Sequence, residues 1–208
     1  MNKNFVIIVG AVLLLFSGGF FYRYRSNAAD ERGATRLMRS FEQETDEQAQ
    51  LRLIRRANDI NEQDRYGRTA LFYALRHDAD SQMVRHLLRV GADVNIKEAT
   101  GQTVLMWAAR YSSSPDVLQQ LLAAGAQVNE ASNEGYTALM LASQFNKPEM
   151  VKILVRAGAD CDLKNENGKT AGAFLAENKR FSEVEKADFL LAFKVLSIIG
   201  PRPAVVDK

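Results

Sequence analysis

A period of 34 residues constrains this chain more than any other feature. The run Gly67-Arg68-Thr69-Ala70-Leu71 returns as Gly101-Gln102-Thr103-Val104-Leu105 and again as Gly135-Tyr136-Thr137-Ala138-Leu139. A second run keeps step with it: Gly91-Ala92-Asp93-Val94-Asn95, Gly125-Ala126-Gln127-Val128-Asn129 and Gly158-Ala159-Asp160-Cys161-Asp162. Glycine and threonine two places apart also open copies at Gly33/Thr35 and Gly168/Thr170, which makes five in register. A self-similar period of this length means a stacked array, in which no unit buries its apolar face alone.

Each unit reads as two helices. The glycine suits a turn with positive φ, and the threonine oxygen can accept from the first orphan amides of the following helix. Small residues follow at Ala74, Ala108 and Ala142, with Ala109 and Ala176 one place further on, and let neighbouring helices approach. The second helix opens on a proline at Pro115 and Pro148, where a missing amide costs nothing. Its apolar residues recur at helical spacing: Met83, Val84, Leu87 and Leu88; Val117, Leu118, Leu121 and Leu122; Met150, Val151, Ile153 and Leu154. Glycines 91, 125 and 158 close it.

Taken together the two runs resemble the ankyrin repeat, whose usual signature pairs Gly-x-Thr-Pro-Leu-His-x-Ala with a later Gly-Ala-Asp-x-Asn. The resemblance covers residues 30–200 and implies an all-α solenoid of stacked helix-turn-helix units with hairpin-like loops. Repeats are expected near 30–63, 64–97, 98–131, 132–164 and 165–200. The signature's proline and histidine are missing: the chain has Thr69-Ala-Leu-Phe72, Thr103-Val-Leu-Met106, Thr137-Ala-Leu-Met140 and Thr170-Ala-Gly-Ala173. The histidine hydrogen bonds that usually tie such repeats are therefore lost, and apolar contacts are expected to substitute.

Both ends of the array read as caps. The first repeat carries Arg36, Arg39, Glu42, Glu44, Arg52, Arg55 and Arg56, the polar outer face a terminal unit needs, and Thr45-Asp-Glu-Gln48 reads as a capping box for its second helix. The last repeat runs on as a helix from about Ser182 to Ile199, stopped by Gly200-Pro201. Val184, Ala187, Leu190, Leu191, Val195 and Ile198 line one face, widened by Phe189, Phe193 and Leu196. A lid over the last apolar layer is the expectation, with a partner-binding helix as the alternative.

Ahead of the repeats stands a separate module. Residues 1–4 form a tail; Phe5–Tyr22 is uncharged and apolar, and as a helix would be about 27 Å long, enough to cross a bilayer. Lys3 precedes it, Arg23 and Arg25 follow, and Phe20, Phe21, Tyr22 and Tyr24 are placed like an interfacial belt. One transmembrane anchor, followed by a linker over 23–29, is the preferred reading. A cleaved signal peptide, with small residues at Ser26 and Ala28, is the alternative. Arg23, Arg25, Arg32 and Arg36 after the segment outnumber Lys3 and the amino terminus before it, which tilts the expectation to a cytoplasm-facing repeat domain, with a periplasmic or extracellular one as the alternative. Residues 201–208 form a second tail.

Composition and motifs exclude several function classes. The 208 residues carry a net charge of only +2, so no concentrated basic face for nucleic acid is expected. The lone Cys161 holds the place of Ile60, Val94 and Val128 and reads as a small buried apolar residue. Only His77 and His86 are histidines, and no His-Glu-x-x-His, Gly-x-Ser-x-Gly or phosphate-cradling loop occurs. The expectation is a non-enzyme without metal, cofactor or small-molecule substrate; the run His77-Asp-Ala-Asp80 reads as an ordinary loop.

What remains is surface. In ankyrin-like folds the hairpin tips and the concave side of the first helices carry recognition. By register the tips offer Arg65, Tyr66 and Arg68, Gln102 and Tyr136, and the inner-helix stripe runs Arg39, Tyr73, Trp107, Leu141, Phe174. Three residues on it gives Glu42, Arg76, Arg110, Gln144 and Glu177. The candidate partner-binding set is Arg65, Tyr66, Arg68, Tyr73, Arg76, Gln102, Trp107, Arg110, Tyr136 and Gln144, centred on aromatic and arginine types enriched in hot spots. The alternative is that Tyr73 and Trp107 pack between repeats beneath the arginine stems. The function expected is a membrane-tethered scaffold or adaptor for a protein partner, with an exported inhibitor or immunity-type protein, or an accessory subunit of an enzyme, as alternatives.

Overall fold

Threonine, proline and glycine punctuate the chain into paired helices. The computed structural model describes residues 33–43, 46–76 and 81–199. Among them lie α1 (Arg36–Glu42), α2 (Glu47–Ile54), α3 (Ala70–Arg76), α4 (Ser81–Arg89), α5 (Val104–Tyr111), α6 (Pro115–Ala123), α7 (Ala138–Phe145), α8 (Pro148–Arg156), α9 (Ala171–Glu177) and α10 (Glu183–Ile199). The described residues form no strand beyond one isolated bridge between Lys97 and Thr103. The apolar segment 5–22, the linker 23–29, the loop His77–Asp80 and the stop at Gly200-Pro201 lie outside the described residues. Among those residues, no helix is long and apolar enough to cross a membrane.

Local chemistry sets the helix ends. The hydroxyls of Thr35, Thr103, Thr137 and Thr170 accept from Met38, Met106, Met140 and Ala173 amides at 3.3–3.4 Å. Thr69 departs from this pattern, its hydroxyl buried without a hydrogen-bond partner among the described residues. α2 starts at Glu47 with Asp46 as its N-cap, which makes no side-chain cap bond; Thr45, expected to open a capping box there, lies outside the described residues. Pro115 and Pro148 each occupy the first helical turn as expected. At the other end Gly125, with φ +87°, donates to Leu122 while Ala126 donates to Leu121, the paired bonds of a Schellman stop.

Stacking is nearest-neighbour throughout. The first helices form one layer in the order α1, α3, α5, α7, α9, and the second helices α2, α4, α6, α8 form another behind it. Ala74, Ala108 and Ala142 are fully buried in the first layer, where a larger side chain would hold the helices apart. Ala176, expected to do the same in α9, is exposed, because α10 meets α9 nearer its start, around Gly172. Met83, Val84, Leu87, Val117, Leu118, Leu121, Met150, Val151 and Leu154 seal the space between the layers. Leu37, Met38 and Phe41 close the first repeat from within.

Polar rungs tie the repeats, which corrects the expectation that apolar contacts alone would replace the missing histidines. Asn61, Asn95 and Asn129 each donate to the Gly91, Gly125 or Gly158 carbonyl of the next repeat and accept from the amide two places beyond it. Deeper in, Asn146 donates to the carbonyls of Ala109 and Ser112, and Asn178 to those of Ser143 and Asn146. Both side chains are buried, where an unpaired carbonyl costs about 1–3 kcal/mol. The hairpin tips add backbone bonds from Ala99 to Tyr66, Asn133 to Thr100 and Glu166 to Glu134.

The last repeat is closed by α10, but through a different face from the one expected. Phe181, Phe189 and Phe193 bury against the stack, and Phe189 makes an edge contact to Phe181 at 5.7 Å. Val184, Leu191, Val195 and Ile198, expected on the covered face, point outward. The reason is register: the phenylalanines lie on the opposite side of the helix, and only one side can face α9.

Candidate functional site

A hairpin tip is held by the residue three places before its glycine. The turn amide of Gly67 donates to the Asp64 carbonyl, and one Asp64 carboxylate oxygen accepts from the Tyr66 and Arg68 amides, both at 2.8 Å. Glu98 accepts from Thr100, Ser132 from Tyr136, and Asn165 from Asn167 and Lys169 in the same way. The sequence reading passed over these residues because each is a polar side chain beside a loop, which looks solvated. Asp64, Glu98 and Asn165 are instead buried.

The tips roof the next repeat's first helix. Arg68 stacks over the Trp107 ring at 5.2 Å while also covering Tyr66 at 5.0 Å; one and two repeats on, Gln102 and Tyr136 hold the place of Arg68, and Tyr136 lies 5.7 Å from the Phe174 ring. This roofing places the expected stripe inside: Tyr73 is 2% exposed, Trp107 7%, Leu141 3% and Phe174 3%. Tyr73 donates its hydroxyl to the second Asp64 oxygen at 2.8 Å, so it supports a tip from below and offers no surface to a partner. Trp107 packs edge-on against Phe72 and Tyr111, at 5.4 and 5.6 Å.

The accessible face lies three and four residues further along each helix. Arg76 is exposed at the end of α3, while Arg110 and Gln144 are half-buried in α5 and α7. Tyr111 is 48% exposed, and Arg110 lies between its ring and that of Phe145, at 5.2 and 4.5 Å. The result is a continuous series across three repeats: Arg68 lies between Tyr66 and Trp107, Trp107 meets Tyr111 ring to ring, and Arg110 lies between Tyr111 and Phe145. Arg65 is exposed beside Tyr66, and Gln102 and Tyr136 are half-buried at the following tips. Tyr111 and Phe145 were missed because the stripe was read at i and i+3, whereas the groove surface also takes i+4.

Two donors in this series are unsatisfied. Arg68 Nε and Trp107 Nε1 are buried and have no hydrogen-bond partner among the described residues. Neither Arg68 nor Arg110 forms an ion pair with a described carboxylate. The site can therefore accept acceptor atoms and negative charge, but it offers no nucleophile with a base beside it. Among the described residues no group of histidine, cysteine and carboxylate side chains is arranged to hold a metal. Cys161 is buried, and that burial, helped by Asp162 and then Asp160, pushes its thiol up to about 12, so it stays protonated and uncharged in the place that Ile60, Val94 and Val128 hold in the other repeats.

No curated protein matches the chain. A family model described as ankyrin repeats (3 copies) matches residues 37–132, 75–165 and 105–195, overlapping windows that run from α1 to α10. Arrays of this kind are generally modules for protein–protein interaction and are typically non-catalytic. With the 34-residue period, the paired helices and the asparagine rungs all agreeing with that match, the chain belongs to the ankyrin-repeat family.

Proposed function

We propose that the chain binds an acidic segment of a protein partner along the face built by Tyr66, Arg68, Trp107, Arg110, Tyr111 and Phe145. The observation that carries this reading is the pair of arginines, Arg68 and Arg110, each stacked on rings and neither ion-paired with a described carboxylate. A partner carboxylate can therefore pair with either guanidinium without first displacing an ion pair made by a described residue, and such charge-assisted bonds are the stronger kind. The rings supply contact area at little entropy loss, and the arginines supply charge that steers an acidic partner.

The experiment places a photo-crosslinking amino acid at Tyr66 or Tyr111 of the full chain, and at Arg85 or Gln119 on the second-helix layer. Adducts of one common mass from 66 and 111 only, lost on Arg68→Glu with Arg110→Glu, are the expected result. Charge reversal at two such positions should weaken capture roughly 30-fold or more. Equal adducts from all four sites, or capture unaffected by reversal, would overturn the reading.

The tether is part of the same proposal and rests on the sequence of residues 5–22. A scaffold held at the bilayer presents its groove to partners confined near that surface. Reporters fused after Lys208, one active only when exported and one fluorescent only in the cytoplasm, decide the side. Export would favour a role in masking a secreted enzyme over a cytoplasmic scaffold, and extraction of the chain by carbonate would remove the tether altogether.

A further inference from the structure

One row of the accessible face changes charge from repeat to repeat. Arg76, Arg110 and Gln144 hold the same place near the ends of α3, α5 and α7, and Glu42 and Glu177 hold it in the first and last repeats. Arg76 is exposed, Arg110 and Gln144 are half-buried, and none of these three side chains hydrogen-bonds or ion-pairs with a described residue. Glu177 is held by Lys169 at 3.0 Å. Two guanidiniums without a carboxylate therefore stand in neighbouring repeats, followed by an amide without a partner, with an acidic residue at either end of the row.

Neighbouring first helices pack about 8–10 Å apart, so the two guanidiniums are presented at about that interval. A polyproline II segment matches it: with three residues per turn and a rise of about 3.1 Å, it returns every third side chain to the same edge after about 9.3 Å. A β-strand returns one after about 6.8 Å or about 13.6 Å, which misses the interval on both sides. An α-helix comes near it at seven residues, about 10.5 Å, but its backbone polar groups are already paired and offer Gln144 nothing. The polyproline II backbone makes no internal hydrogen bond, so its carbonyls are free for the Gln144 amide, and Tyr111 and Phe145 give it rings to lie on. We propose that the groove selects a polyproline II segment carrying two carboxylates three residues apart, one for Arg76 and one for Arg110. This rests on the acidic-partner reading above and adds the spacing. A third carboxylate one repeat further on would meet Gln144 without gain, and on the other side it would meet Glu42. The charge window is two repeats wide.

Trp107 is the chain's only tryptophan and its ring meets that of Tyr111, so its emission reports occupancy of the groove in the full chain. The probes are proline-host peptides with two glutamates set two, three or four places apart, and one with three glutamates at every third place. The three-place peptide should bind several-fold more tightly than the two-place and four-place ones, and a third glutamate should add nothing. Arg76→Gln or Arg110→Gln should bring the three-place peptide down to the level of the others. Gln144→Arg should make the three-glutamate peptide the tightest of all, a gain that a folding defect does not produce. Equal binding at every spacing, or no gain in Gln144→Arg, would overturn the spacing and leave the acidic-partner reading standing. Tighter binding of an alanine-host helix with glutamates seven places apart would do the same. A parent chain that binds none of the peptides would also overturn the spacing, and the reading would then rest on the crosslinks from Tyr66 and Tyr111 alone.

Discussion

Asp64 illustrates how much of a hairpin one side chain can hold. Its two oxygens take the Tyr66 and Arg68 amides and the Tyr73 hydroxyl, all at 2.8 Å, while the side chain itself is buried. Asn165 takes the equivalent pair of amides three repeats later with a neutral oxygen. Asp64→Asn should therefore keep both amide bonds and lose only the acceptor for Tyr73, at about 1 kcal/mol. Asp64→Ala removes all three and should cost about 2–3 kcal/mol, read as the shift in urea midpoint at constant slope. An alanine variant no worse than the asparagine one would show that the tip is held by its backbone alone. Because Arg68 is positioned by this carboxylate, the same substitution should also loosen the stack on Trp107.

At the scale of one helix, α10 is the element with the clearest pH response. Ser182 and Glu185 exchange bonds at its start: the Ser182 amide and hydroxyl donate to the Glu185 carboxylate at 2.9 and 2.8 Å, and the Glu185 amide donates back at 3.2 Å. The Ser182 amide, then its hydroxyl, hold the Glu185 carboxyl below its ordinary 4.5. A lowered native value means that the cap contributes fully above pH 4.5 and is lost as pH falls through the lower, folded value. Glu185→Gln should therefore speed hydrogen exchange in the first turn of α10 at neutral pH, and the difference from the parent chain should close in acid. A difference independent of pH would show that the carboxylate charge has no part in the cap. The first-layer helices behave otherwise: Ala70 to Leu75 of α3 are all buried, because α1, α5, α4 and a hairpin surround them. A helix enclosed on every side has no solvent stripe to read, which is why Tyr73 and Trp107 were placed on the surface from sequence and sit beneath it.

Across the whole molecule, the repeat order and the helix pairs were legible because each unit must solve the same burial problem as its neighbour. The site was legible in residue type, since Tyr66, Arg68, Trp107 and Arg110 do come together, but not in exposure, which depends on how one repeat's tip overhangs the next. The asparagine rungs were illegible, because a loop asparagine looks like a solvated one until its partner thirty residues on is in place. Asn146→Ala should expose that dependence: it orphans the Ala109 and Ser112 carbonyls in the interior and should cost about 2–3 kcal/mol. If urea unfolding of that variant stays at the parent midpoint, the buried amide is not what joins the repeats. Each exposed rung, Asn61, Asn95 or Asn129, reads only a glycine carbonyl and an amide of the unit that follows, and those groups recur in every copy. Length is thus a free variable of this architecture: a duplicated unit spliced after Asn95 would find its bonds already specified on both sides, and the groove could grow by one register without any existing joint being rewritten.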